Sequence, residues 1–109
     1  MQRFPMRLIA IPFFAASLAL SSVARADTAK VYQTNCTLCH AADGSGSSST
    51  GKALHAKDLR SDEVQKQADA VLSEVITKGK GKMPAFGAKL SADSVKELVA
   101  YIRALPSKK

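Results

Sequence analysis

The sequence predicts a single small all-α domain. Two segments, which follow Ser61 and Ser91, place apolar residues three and four positions apart, and this is the spacing of an amphipathic helix. The chain has 109 residues, no Trp, two Tyr and four Phe, so its own side chains can build only a thin core. Domains of this size usually need a metal, a cofactor or disulfides to hold them together. We therefore expect a core that is completed by a bound group.

The first part of the chain is predicted to be a cleaved secretory signal peptide. Two arginines precede an apolar run that ends at Leu20, and Ala24-Arg25-Ala26 supplies an Ala-x-Ala site, which is the order typical of exported proteins. The apolar run is short for a membrane span, although an uncleaved anchor is the alternative. We predict that residues 1–26 are removed after Ala26, that residues 27–109 form the domain, and that it reaches the periplasm without a permanent membrane anchor.

The charge of the mature domain is only mildly basic. The whole chain carries +7, and three of its arginines lie in the predicted leader, which leaves +4 for residues 27–109. A nucleic-acid-binding domain usually has a stronger and more clustered basic excess. We therefore predict no nucleic-acid partner, and we expect a monomer.

The first helix of the domain is expected at roughly 28–38, with Asp27 as its N-cap. Thr28, Tyr32 and Cys36 then share one face of this helix, because residues four apart are neighbours on a helix surface. Thr28 is small enough to let another helix cross close by.

The last turn of this helix carries the motif Cys36-Thr37-Leu38-Cys39-His40. Two thiols in this spacing, with a histidine directly after the second, are typical of c-type haem attachment. Each sulfur must reach one vinyl group on the same porphyrin edge, and the next residue then turns its ring under the iron. Cys36 and Cys39 are therefore predicted to bind one haem c covalently through thioethers, and His40 to be an axial ligand of its iron.

Two other interpretations of the motif are weaker. A thioredoxin-like redox pair would need a β-α-β context, which the sequence does not offer. A zinc site could combine Cys36, Cys39 and His55, with Asp58 as the available fourth ligand.

Residues 41–51 are small and polar, and this composition predicts a surface loop, which we expect to fold around one edge of the haem. The following segment, 52–60, contributes Leu54 and Leu59. These two leucines are candidates either to pack on the porphyrin or to fill a generic core.

Two further helical regions complete the domain. The segment from Ser61 to Gly79 is predicted to be helical, either as one helix or as two with a break near residues 67–69. Ser91 is expected to cap a last helix at roughly 92–105.

The sixth position of the haem iron decides the function. Met83 lies in a loop rich in Gly and Pro, is followed by Pro84, and is well separated from His40. Both other methionines lie in the predicted leader, and Met/His ligation suits electron transfer. We therefore predict Met83 as the second axial ligand. His55 as that ligand and an open site are the alternatives.

Three features together resemble the class I c-type cytochromes, and in particular the small soluble ones of bacteria, algae and cyanobacteria. They are the haem motif, the run Lys80-Gly81-Lys82-Met83-Pro84-Ala85-Phe86, and a last helix that contains Leu98-Val99-Ala100-Tyr101-Ile102. The resemblance implies a cytochrome c fold of three to five helices wrapped around one covalently bound haem. It also implies that the first and last helices cross near Thr28, Tyr32 and Tyr101.

One feature departs from that family. Many members have a proline in the loop after the haem motif, and its carbonyl accepts the proton of the axial histidine. No proline lies between His40 and Met83 in this sequence, so the acceptor for His40 is left open.

The resemblance also implies a function. The protein is expected to be a soluble one-electron carrier and not an enzyme, and to shuttle electrons between membrane or soluble redox proteins of a respiratory or photosynthetic chain. Lys78, Lys80, Lys82 and Lys89 surround the Met83 loop and are predicted to steer acidic partners. A merely solvated loop is the alternative for these lysines.

Two other function classes remain. A gas sensor or small peroxidase would need an open sixth site, for which His55 and Arg60 are the available pocket residues. A haem-bearing subunit that is permanently docked on a membrane oxidase is the other class.

Overall fold

The computed structural model describes residues 9–10 and 17–107, and its regular secondary structure over those residues is helical throughout. The all-α prediction is therefore confirmed. Two of the six described segments are single turns of four residues, which is why their number exceeds the three to five expected. In chain order the segments are α1 (Ser17–Asn35), α2 (Thr37–His40), α3 (Ser49–Leu54), α4 (Asp62–Gln65), α5 (Asp69–Lys78) and α6 (Ala92–Arg103).

The first helix starts earlier than the sequence predicted. It begins at Ser17 and runs through Asp27, so Asp27 is not its N-cap in the chain that retains its leader. The residues from Ser17 to Asp27 include no Gly or Pro, and nothing in them interrupts a helix. Within the part of the chain that the structure describes, no helix is long and apolar enough to cross a membrane.

The end of α1 leads directly into the cysteine motif. The helix ends at Asn35, which is three residues before its expected end. The Cys36 N–H still donates to the Tyr32 carbonyl at 2.8 Å, so Cys36 continues the helical path into the separate turn of α2.

The first and last helices pack against each other, as the resemblance implied. Thr28 is buried at their contact, and its hydroxyl donates to Glu97 Oε2 at 3.0 Å. The ring of Tyr32, which is only 2% exposed, lies 4.9 Å from the ring of Tyr101, measured between centroids. A small residue and a tilted aromatic pair therefore set how closely α1 and α6 approach.

The last helix supplies the centre of the core. Ser91 caps it by accepting a hydrogen bond from the Ser94 N–H at 3.1 Å, as predicted, and the helix ends at Arg103, two residues early. The apolar stripe of α6 faces inward, and the segments before it add their own apolar side chains. The buried core residues are Tyr32, Leu59, Val64, Leu72, Ile76, Val95, Leu98, Val99 and Ile102.

The segment after Ser61 is divided into α4 and α5, at the break that the sequence allowed near residues 67–69. Arg103 of α6 holds this break. Its guanidinium donates to the main-chain carbonyls of Gln65 and Gln67, and to Asp69 Oδ1 at 3.0 Å. Gly79 ends α5, as expected, with a positive φ of 76° that glycine adopts without strain.

The predicted loop of residues 41–51 is shorter than expected, because α3 begins at Ser49. Ser48 caps this helix, and its hydroxyl accepts a hydrogen bond from the Gly51 N–H at 2.9 Å. The small polar residues of this stretch have the composition of a loop. Packing of α3 against α2 therefore overrides the local preference.

Candidate haem site

The cysteine motif forms one helical turn. The His40 N–H donates to the Cys36 carbonyl at 2.9 Å, and the Cys39 N–H approaches the same oxygen at 3.3 Å. Side chains three and four positions apart on such a turn lie on one face. Both thiols and the imidazole are therefore presented to the same side of α2.

That side faces an apolar cavity of about 560 Å³, which Cys36, Cys39 and His40 help to line. Cofactor pockets are typically of this size and are mostly apolar, with a few placed polar groups. Met83 also lines the cavity, so the four predicted site residues surround one space. The apolar part of the lining includes Leu54, Leu59, Leu72, Ile76, Phe86 and Leu98.

The two cysteines are free thiols that are partly buried. Burial, with a smaller contribution from the charge on Cys39, raises the pKa of the Cys36 thiol to about 11. Cys36 is therefore a neutral thiol at neutral pH in the haem-free chain. The volume, the apolar walls and the pair of free thiols fit a porphyrin that is attached at this edge.

His40 is oriented by a main-chain carbonyl. Its Nδ1 lies 2.9 Å from the Lys57 oxygen, and because a carbonyl can only accept, Nδ1 carries the proton. The lone pair of Nε2 then remains available for a metal. The Lys57 carbonyl is thus the acceptor that the missing proline left open. The lysine side chain gave no signal for this role, since every residue has a carbonyl.

Residues 48–51, which follow the motif, pack against its main chain outside the cavity. The Ser48 hydroxyl lies 2.7 Å from the Leu38 carbonyl and 3.2 Å from the Cys39 carbonyl. Gly51 packs so closely that a Cβ on it would lie 2.0 Å from the Cys39 oxygen. Ser48 and Gly51 are therefore support residues for the site, and the sequence marked them only as loop-forming types.

Met83 is held by a short main-chain bridge. The Met83 N–H donates to the Lys80 carbonyl at 2.9 Å, and the Lys80 N–H donates to the Met83 carbonyl at 3.1 Å. Gly79 packs against this bridge, and a Cβ on Gly79 would lie 2.7 Å from the Met83 oxygen. The loop then returns to α5 through the Phe86 N–H, which donates to the Ile76 carbonyl at 3.0 Å. Met83 itself is partly buried against the core.

Comparisons with known proteins agree with this geometry. The family described as "Cytochrome C oxidase, cbb3-type, subunit III" matches residues 24–102. Cytochrome c6 of Microcystis aeruginosa is 36% identical over 84 residues, which are 75% of this chain and 98% of that protein. Cytochrome c6 of Synechococcus sp. is 33% identical over 98 residues, which are 86% and 75% of the two chains. This chain is a class I c-type cytochrome.

A solved structure supports the same assignment. The "KustC0563 c-type cytochrome" matches with a TM-score of 0.67 and 32% identity, over 74% of this chain and 98% of the other. Membership of the family means that the cytochrome carries a single covalently bound haem c. It also means that the cytochrome is an electron-transfer protein and not an enzyme.

The cytochrome places the alternative site residues differently. His55 lies exposed at the end of α3, with φ 57°, and lines the cavity. Arg60 is not among the residues that line the cavity, and it forms a bidentate pair with Asp58, whose oxygens lie 3.0 and 3.1 Å from its nitrogens. Among the residues described, no three His, Cys, Asp or Glu side chains come together to hold a metal ion. The zinc interpretation therefore has no support.

The four lysines of the predicted docking surface are not equivalent in the cytochrome. Lys80 and Lys82 line the cavity. Lys78 forms an exposed ion pair with Glu74, with 3.2 Å between Nζ and Oε1, and Lys89 is exposed outside the cavity lining. Of these four lysines, Lys80 and Lys82 therefore bring positive charge closest to the site.

Proposed function

We propose that this cytochrome is a soluble one-electron carrier whose haem is attached through Cys36 and Cys39 and ligated by His40 and Met83. The observation that carries the proposal is that all four side chains line one apolar cavity. The bound haem supplies one-electron chemistry through its ferric and ferrous iron.

The chain's residues adapt the site to this task. His40 is held in one tautomer by the Lys57 carbonyl, which keeps Nε2 free to ligate. The thioether of Met83 is a ligand that raises the reduction potential. The apolar walls exclude water, and two protein ligands leave no position at which a small substrate can bind. This combination favours electron transfer over catalysis or gas sensing.

Met83 is a better second ligand than His55. His55 directly follows α3, and α3 packs on α2, the turn that carries His40. His55 thus belongs to the pair of packed helices that also carries His40. Met83 comes from the loop after α5 and packs against the core, which suits a ligand on the opposite face of a porphyrin.

Absorption spectra of the haem-loaded protein test the ligand set. We expect a low-spin haem, a sulfur-to-iron charge-transfer band in the ferric form, and no response to carbon monoxide. Met83→Ala should lose the band and bind carbon monoxide, whereas the matched variant His55→Ala should keep the wild-type spectrum. A band that survives Met83→Ala, or disappears in His55→Ala, would refute the assignment.

We also propose that the leader is removed after Ala26 and that the carrier works in the periplasm. The support is the order of charges, apolar run and Ala-x-Ala site. The intact mass and N-terminal sequence of the haem-loaded protein from the periplasmic fraction test this. A chain that begins at Asp27 is expected, and one that retains residues 1–26 would contradict it.

The partners are proposed to be larger redox proteins of a respiratory or photosynthetic chain, with docking near Lys80 and Lys82. Charge reversal at both positions should slow reduction by an acidic partner and flatten its dependence on salt. Lys96 is exposed on α6 outside the cavity lining, so Lys96→Glu, compared with Lys80→Glu and Lys82→Glu as single variants, is a control for charge alone. Equal effects of reversal near the cavity and at Lys96 would refute a docking role for Lys80 and Lys82.

A second candidate is a subunit held permanently on a membrane oxidase. The description of the matching family as an oxidase subunit favours it, while the match to 98% of a cytochrome c6 favours the separate carrier as a monomer. Fractionation distinguishes them. A monomer free in the periplasmic fraction supports the carrier, and co-purification with membrane proteins supports the subunit.

A further inference from the structure

The acceptor for His40 is a main-chain atom, so its position depends on the backbone around residues 56–57 rather than on the Lys57 side chain. That backbone lies against the loop that follows the haem motif. The Leu59 N–H donates to the Gly44 carbonyl at 2.7 Å, and the Gly46 N–H donates to the His40 carbonyl at 2.8 Å. The loop is thus hydrogen-bonded both to His40, which donates the His40–Lys57 bond, and to the segment that carries the Lys57 carbonyl, which accepts it.

We propose that Gly46 is a positioning residue, which keeps the Lys57 carbonyl against His40 Nδ1 and thereby sets the strength of His40 as an iron ligand. The inference rests on the proposed ligation by His40. It adds a role for a residue whose type in the sequence indicated only a loop.

The close approach at Gly46 explains why a glycine is needed. Its φ is +72°, a backbone conformation that residues with a Cβ rarely adopt. A Cβ built there would lie 2.7 Å from the Ala56 oxygen and 3.2 Å from the Lys57 oxygen. Both neighbours are main-chain carbonyls, which cannot rotate away as a flexible side chain can. Any other residue must therefore displace the 56–57 backbone.

That displacement would act on the iron through His40. A hydrogen bond from Nδ1–H to a carbonyl makes the imidazole a more basic ligand, and a more basic ligand favours ferric iron. When the Lys57 carbonyl moves away from Nδ1, this hydrogen bond weakens, and the ferric state is then less stabilised relative to the ferrous state. We therefore expect Gly46→Ala to have a more positive reduction potential than the wild type.

Gly44 provides a matched control in the same loop. Its φ is +80°, so Gly44→Ala carries similar left-handed strain. Its Cβ would meet the Leu105 Cδ1 at 2.6 Å, which is the end of a flexible side chain that can move. The bond from the Leu59 N–H to the residue 44 carbonyl joins two main-chain atoms, so Gly44→Ala keeps it. The two variants share the strain, and only the Cβ of Gly46→Ala pushes on the Lys57 carbonyl that holds His40.

The experiment uses the haem-loaded wild type, Gly46→Ala and Gly44→Ala. It measures the midpoint potential and, by NMR of the reduced protein, the exchange of the His40 Nδ1 proton. Gly46→Ala should show a more positive potential and exchange that is roughly tenfold faster, as for the loss of one ordinary hydrogen bond. Gly44→Ala should match the wild type in both, even if its melting temperature falls. Equal behaviour of the two variants would overturn the role of Gly46.

A second pair keeps the test decisive if the alanine variants fold poorly. Asparagine tolerates the left-handed region better than alanine, so Gly46→Asn and Gly44→Asn reduce the strain while the contact of the Cβ remains. The same difference in potential and exchange is expected, and its absence would also overturn the proposal. A wild type without low-spin His ligation would instead refute the proposed function, so the two failures are distinguishable.

Discussion

The two segments that supply the proposed axial ligands are built in different ways. The His segment, residues 36–60, holds its ligand with a side-chain hydrogen bond from His40 to the Lys57 carbonyl, and with the close contact of Gly51 on Cys39. The Met segment, residues 79–90, holds Met83 by a main-chain bridge to Lys80 and by packing. Among the described residues, no polar group has a hydrogen bond that orients the thioether.

This difference follows from the chemistry of the two ligands. An imidazole has a second nitrogen, which a carbonyl can bind to set its tautomer and its plane. A thioether offers only a weak acceptor, so the loop must place its sulfur by backbone shape and apolar contact. Changes that crowd the backbone of the His segment should therefore cost stability, whereas changes at the open tip of the Met segment, at Gly81, should be tolerated by the fold.

The largest expected contrast is between two glycines, one in each segment. In Gly51→Ala the new Cβ meets the Cys39 carbonyl, and overpacking against the backbone should lower the free energy of unfolding by about 3 kcal/mol. In Gly81→Ala the Cβ enters open space with φ +57°, so only left-handed strain of about 1 kcal/mol is expected. Urea unfolding of the haem-loaded variants measures both values. Equal losses would show that the segments do not differ.

A smaller effect is expected at Tyr32, whose hydroxyl donates to the Ala41 carbonyl at 2.7 Å, next to His40. Tyr32→Phe removes this bond and should cost about 1.5 kcal/mol at neutral pH. Burial raises the pKa of Tyr32, so the folded state keeps its proton where the unfolded state loses it. The contribution is complete below about pH 10, the usual pKa of tyrosine, and is lost as pH rises above it.

Denaturation at a series of alkaline pH values tests the direction of this pH dependence. The wild type should lose stability faster than Tyr32→Phe above about pH 10. Tyr101→Phe, which keeps the Tyr32 hydroxyl and its hydrogen bond, should also lose stability faster than Tyr32→Phe. Parallel curves for all three proteins would show that Tyr32 does not contribute to the pH dependence.

A comparison of two N-cap serines separates the stability that any cap contributes from the extra contact that Ser48 makes with the haem motif. Ser48→Ala and Ser91→Ala should each cost about 1 kcal/mol, because each removes an N-cap. Ser48 also contacts the Leu38 and Cys39 carbonyls. Only Ser48→Ala should therefore speed amide exchange at residues 39–41. If both variants leave this exchange unchanged, Ser48 acts only as a cap.

The smallest effect is expected at the end of α5, just before the Met segment. The ion pair of Lys78 and Glu74 is solvent-exposed, and exposed pairs one helical turn apart contribute only about 0.3 kcal/mol. Lys78→Ala and Glu74→Ala should give the same small loss and leave the sulfur-to-iron charge-transfer band in place. Loss of that band in Lys78→Ala alone would mean that Lys78 helps to position Met83.

Much of this protein is predictable from its sequence because the signals are local. The haem motif depends on side-chain type and spacing, so Cys36, Cys39 and His40 are recognisable from the order of residues alone. The cap at Ser91 and the stop at Gly79 are likewise properties of a few neighbouring residues. The crossing of the first and last helices came from the family resemblance rather than from any one of these signals.

Only the tertiary structure decided the features that join distant residues. The acceptor for His40 is the Lys57 carbonyl, 17 positions away, and a carbonyl has no signature in the sequence. The helix that begins at Ser49 depends on packing against α2, and the break before α5 is held by Arg103 from α6. Side-chain chemistry is written in the sequence, whereas the position of a main-chain atom depends on everything that is packed around it.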